Sequence, residues 1–99
     1  MLITQKKSRS KLHVVHAPPG QCFWTTGGHI LQNLKDLERA LQNGMSDAEY
    51  AQHANREKND FAKWTEEVLG DAACAKVLRG VKSRKAAAAA VTRALKRYA

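Results

Sequence analysis

The sequence predicts a mainly α fold, about five short helices in a compact single domain, with a short N-terminal β-hairpin or strand. Three observations lead there. Apolar residues recur at helical spacing in segments bounded by capping residues and glycines. Alanine supplies much of the 43% hydrophobic fraction, and only two tryptophans, two tyrosines and two phenylalanines are present. Such a supply suits close-packed short helices better than a bulky β-sandwich. Finally, β-branched and aromatic residues gather early, in Leu12–His16 and Cys22–Thr26. A length of 99 residues allows one modest core.

Residues 1–11 read as a flexible basic arm, 12–80 as the compact helical domain with its short hairpin, and 81–99 as a basic alanine-rich C-terminal helix. Leu12–His16 and Cys22–Thr26 are expected to pair across Pro18-Pro19-Gly20-Gln21. Pro19 and Gly20 suit a type II turn, because proline presets φ and glycine accepts a positive one. Gly27-Gly28 then ends the second strand. Ile30, Leu34, Leu37 and Leu41 lie on one helical face, and Asn43-Gly44 terminates it. Ser46 and Glu49 form a capping-box pattern ahead of a short helix over about Asp47–Ala54 that buries Tyr50.

The stretch Asn55–Asp71 is the most strongly patterned. Phe61, Trp64, Val68 and Leu69 share a side, Lys63, Glu66 and Glu67 take the other, and Gly70 stops the helix. Phe61 and Trp64 are expected to pack against the Ile30–Leu41 helix. Asp71 caps a helix over Ala72–Arg79 with Ala73, Cys74, Val77 and Leu78 inward and Gly80 as its stop. Ser83 caps the last helix, Arg84 to about Tyr98, whose apolar edge is Ala87, Val91, Ala94, Leu95 and Tyr98.

One set of residues resembles a small prokaryotic helical domain family of unknown function. It comprises Phe23-Trp24-Thr25-Thr26-Gly27-Gly28-His29-Ile30, Asn33-Leu34, Leu37, Ala40-Leu41, Met45-Ser46-Asp47 and His53. It continues in Asn59-Asp60-Phe61-Ala62-x-Trp64 and Val68-Leu69-Gly70-Asp71. The resemblance spans roughly residues 22–79. It implies a mostly helical module with a short strand before the first helix, and it carries no chemistry to transfer.

The functional clue is charge. The chain carries a net +8. Residues 1–12 hold Lys6, Lys7, Arg9 and Lys11 without an acid, whereas residues 13–71 hold five cations and all nine acids. Residues 72–99 hold Lys76, Arg79, Lys82, Arg84, Lys85, Arg93, Lys96 and Arg97, again with no acid. A mildly acidic body with two basic ends is the pattern of a polyanion binder. The candidate nucleic-acid-binding residues are therefore Arg79, Lys82, Arg84, Lys85, Arg93, Lys96 and Arg97, with Lys6, Lys7, Arg9 and Lys11 in the arm. No array of Asn, Gln and Arg marks a base-reading helix, so the expected binding grips phosphates with little sequence preference. DNA stands ahead of RNA, in the manner of a nucleoid-architectural protein.

The competing expectation is a protein-interaction or homodimer module, using the apolar edge of the last helix without nucleic acid. Neither enzymatic activity nor a cofactor is expected. No Ser-His-acid motif is recognisable, and Ser46 reads as a cap. No metal site is expected either, because the four histidines and the two cysteines, Cys22 and Cys74, lack ligand spacing. The short apolar run Ala86–Val91 excludes a membrane span, and no signal segment is evident, so the expected location is cytoplasmic.

Overall fold

The computed structural model describes residues 12–98. Within them a two-stranded antiparallel sheet, β1 (Phe23–Trp24) and β2 (Ile30–Leu31), precedes five helices. These are α1 (Leu34–Gln42), α2 (Asp47–His53), α3 (Asp60–Glu67), α4 (Ala72–Gly80) and α5 (Arg84–Leu95). The fold is mainly α, as the sequence predicts. No helix among the described residues is long and apolar enough to cross a membrane.

The hairpin forms, but between other segments than expected. Phe23 pairs with Leu31 and Trp24 with Ile30, so Gly27-Gly28 lies in the turn between strands instead of ending the sheet. Gly28 takes φ +91° there, and a Cβ on Gly27 would collide with the Glu49 carboxylate. Gly20 has no positive φ. Pro19–Gln21 winds instead into a 3-10 turn, closed by Gln21 N donating to Pro18 O at 2.8 Å. Two adjacent prolines supply no N–H for a ladder, which disfavours pairing across them. The Leu12–His16 segment docks elsewhere: Leu12 N donates to Arg97 O at 2.8 Å and Ala17 N to Gln32 O at 2.7 Å.

Helix α1 therefore starts at Leu34, not at Ile30. Asn33 is its cap, its side chain accepting from Asp36 N at 2.8 Å, while Asp36 Oδ2 accepts from Gln32 N at 2.9 Å. This reciprocal pair fixes the start four residues past Ile30, whose helical spacing is a coincidence of strand register. Ser46 caps α2 through Glu49 N, yet the capping box is only half made. The Glu49 carboxylate leaves it to accept from Gly27 N at 3.0 Å.

The Asn55–Gly70 helix is shorter than its pattern. Asn59 caps α3, accepting from Ala62 N at 2.9 Å, and the end is set by Gly70 at φ +74°. Residues 55–58 instead form a tight loop, in which Asn55 Oδ1 accepts from Glu57 N and Asn55 N donates to Lys58 O. Phe61, Trp64 and Leu69 are buried. The helix that packs along α3 is α4, whereas α1 lies along α5. Phe61 meets the rings of Phe23, Tyr50 and His53 and shares the core cluster with Leu34, Leu37 and Leu41 of α1.

In α4 the buried stripe is Cys74, Ala75 and Leu78, while Ala73 and Val77 face outward. Both stripes are apolar, and contact with α3 on one side and α5 on the other selects the one containing Ala75. Burial pushes the Cys74 thiol up to about 11, where it is a packing group and not a nucleophile. Helix α5 buries Ala87, Ala88, Ala90, Val91 and Ala94 against α1 and α4. Most of the apolar edge considered as a dimer seam is thus spent inside the chain.

Candidate nucleic-acid interface

A groove runs between the 55–59 loop and the α4–α5 junction. Its first lobe, about 400 Å³, is bordered by Arg56, Lys58, Arg79 and Lys82 over a floor of Tyr50 and Ala54. A second lobe of about 440 Å³ shares Tyr50, Ala54 and Lys82 and adds Arg84 and Lys85. Across both, six cations face two acids, Glu57 and Asp47.

Local sequence builds each wall. Asn55 closes the loop on itself and also donates from Nδ2 to Ala51 O at 3.0 Å, anchoring it to α2. Asn59 donates from Nδ2 to Leu78 O at 3.0 Å, which ties the loop to the end of α4. Opposite, Arg84 donates from Nε to Asp47 Oδ1 at 2.8 Å and from Nη1 to Leu41 O at 2.6 Å. This joins the first turn of α5 to the end of α1 and the start of α2. The walls are therefore held by bonds that do not use the rim cations Arg56, Lys82 and Lys85.

The predicted site residues divide into four groups. Arg79, Lys82 and Lys85 come together at the groove, although Arg79 also reaches Glu66 at 2.8 Å. Arg93 and Lys96 continue from Lys85 along the exposed side of α5. At 100° per residue these three occupy an arc of about 80° opposite the buried alanines. Arg84 and Arg97 are turned to structural work. Arg84 is a staple only 18% exposed, and Arg97 pairs with Asp71 at 2.6 Å. Lys6, Lys7, Arg9 and Lys11 lie outside the described residues.

Sequence reasoning missed Arg56, Lys58 and Tyr50. Asn55-Arg56-Glu57-Lys58 reads as the polar opening of the Asn55–Gly70 stretch, with Asn59 or Asp60 as the expected cap, and its charges alone do not mark a loop that gathers cations. The available signal is the pair Asn55 and Asn59, two capping residues separated by a segment with no apolar side chain. Half of the six groove cations are already ion-paired, Arg79 with Glu66 and Arg84 with Asp47 among them. Among the described residues Lys58 reaches Asp60 at 3.2 Å, while Arg56, Lys82, Lys85 and Arg93 make none.

A second polar cluster holds the hairpin on α2. Glu49 Oε2 accepts from Gly27 N, and His53 Nε2 accepts from Thr26 N at 3.1 Å. His53 Nδ1 therefore carries its proton and donates to Asp60 Oδ2 at 3.1 Å. Burial would push the Glu49 carboxyl up. The Thr25 hydroxyl, the His29 imidazole and the Gly27 amide outweigh it and hold the group below its ordinary value. Thr25 Oγ1 and Glu49 Oε2 both lie 3.2 Å from the same His29 atom, Nδ1. A nucleophile–base–acid relay needs the two partners on opposite ring nitrogens, so this cluster is read as a latch. Among the described residues no group of three or more His, Cys, Asp or Glu side chains is placed to hold a metal ion.

No family model, curated protein or solved structure matches this chain; the functional reading rests on its own residues.

Proposed function

We propose that this chain binds nucleic acid through its phosphates, with little base discrimination, using the groove and the exposed side of α5. The observation that carries the reading is continuity. The groove cations Arg56, Lys82 and Lys85, without an ion pair among the described residues, lead into Arg93 and Lys96, on a helix that has no acidic residue. Such a surface attracts a polyanion and releases condensed counterions when phosphates replace them. DNA is the polymer we name first, and an architectural role on it fits affinity without base reading. The basic N-terminal arm would add to the same attraction.

Fluorescence anisotropy with a mixed-sequence DNA, repeated over a salt series, tests this. The wild type should bind at micromolar concentration or tighter in low salt. Replacing Lys82, Lys85, Arg93 and Lys96 together with glutamine should flatten the plot of log K against log salt by about 3.6 units, about 0.9 for each of four lost phosphate contacts. Affinity and slope unchanged in that variant would reject the proposed surface.

A further inference from the structure

Resting on the nucleic-acid reading, we infer that the groove seats a single strand, with the Tyr50 hydroxyl at its floor donating to a backbone phosphate held between Arg56 and Lys82. Tyr50 is 6% exposed, and its ring lies nearly parallel to Phe61 at 5.6 Å. A phenol this buried ordinarily has a hydrogen-bond partner. The Tyr50 hydroxyl has none among the described residues, and it is not sealed in, since the one enclosed unpartnered side-chain atom there is Thr65 Oγ1.

Tyr50 lines both lobes of the groove. Burial pushes the phenol above its ordinary value, so it stays protonated and acts as a donor. Arg56 from the loop and Lys82 from the α4–α5 junction flank it, and neither has an ion-pair partner among the described residues. One donor and two unspent cations converging on a recessed floor suit a group with several acceptor oxygens and negative charge, which a phosphate supplies.

Depth selects the form of the polymer. A lobe of about 400 Å³ has the size of a cleft for a small molecule or a single nucleotide unit. A duplex is wider than its own major groove of roughly 12 Å and can only bridge the rims. A single strand can descend, placing one phosphate over Tyr50 and the neighbouring sugar and base in the flanking lobes.

The test is anisotropy with a single-stranded DNA, its duplex and inorganic phosphate as competitor, on wild type and Tyr50→Phe. Phenylalanine keeps the stack on Phe61 and removes only the donor. Tyr50→Phe should weaken single-strand binding about tenfold, as expected for a hydrogen bond to a charged acceptor. The salt slope should not change, because no charge is lost. Duplex binding should be unaffected, and Arg56→Gln or Lys82→Gln should each lower the single-strand slope by about 0.7.

Single-strand affinity equal in wild type and Tyr50→Phe would overturn the inference while leaving phosphate binding in place. So would a duplex that suffers the same loss. Inorganic phosphate that displaces the strand at equal concentration would assign the seat to a free ion instead. No binding of either polymer by the wild type would remove the parent reading, and this one with it.

Discussion

Phe61→Ala is expected to lower the free energy of unfolding by about 3–5 kcal/mol, the range for deleting a buried aromatic. That is a large share of the roughly 5–15 kcal/mol that holds a domain together. Phe61 is 1% exposed and sits where the hairpin, α2 and α3 meet. It stacks on Phe23 at 5.0 Å and on Tyr50 at 5.6 Å, and it meets the edge of His53 at 5.4 Å. Each neighbour is fixed by its own element, Phe23 by strand pairing and His53 by bonds to Thr26 and Asp60. The void can therefore close only partly, which puts the cost toward the upper end. Urea unfolding of both proteins measures it, and a loss below about 1 kcal/mol would mean that the three rings repack freely.

Asp71→Ala should cost about 3 kcal/mol, by a different route. Asp71 Oδ1 caps α4 through Cys74 N at 2.9 Å, while Oδ2 accepts from Arg97 Nη2 at 2.6 Å and from the Tyr98 hydroxyl at 2.5 Å. One buried carboxylate thus joins the start of α4 to the end of α5. The cap and the tyrosine bond account for most of the cost. The pair with Arg97 contributes less, because solvent screens a guanidinium that is 41% exposed. Asp71→Asn keeps the cap and should lose less.

The same carboxylate makes stability depend on pH with a definite sign. Burial alone would push Asp71 up, but Tyr98, the Cys74 amide and Arg97 hold it below its ordinary value. A carboxyl lowered by folding stabilises fully above its unfolded pKa of about 4 and loses that contribution as pH falls through the lower folded value. The stability gap between wild type and Asp71→Asn should therefore shrink as pH is lowered from about 5 to about 2. Glu49, also lowered in the fold, adds acid sensitivity of the same sign at the hairpin. A gap constant over that range would contradict the assignment.

Local chemistry made the helices legible. Ser46, Asp71 and Ser83 cap the helices they precede, and Gly44 and Gly70 take the positive φ that ends a helix. What failed to read through was chosen by pairing and packing partners outside the segment itself. Ile30 fits a helical stripe by spacing, but Trp24 across the hairpin claims it for a strand. Ala73 and Val77 look as apolar as Ala75, and only the approach of α3 and α5 distinguishes them. The candidate site was half legible. The acid-free charge of the last segment pointed to Lys82, Lys85, Arg93 and Lys96. Arg84 turned inward because the free carbonyl at the end of α1 and Asp47 were within its reach. Tyr50 was readable as a core residue, but its unpartnered hydroxyl exists only once the 55–59 loop and the α4–α5 junction stand on either side of it.

The most direct test of the proposed interface is an amide chemical-shift map of the isotope-labelled protein during titration with a short single-stranded DNA at low salt. Saturating shifts are expected in residues 54–59 and 79–85 and along the exposed side of α5, with Trp24 and the Thr25–His29 turn unmoved. Shifts concentrated on that hairpin, or none at saturating DNA, would contradict it.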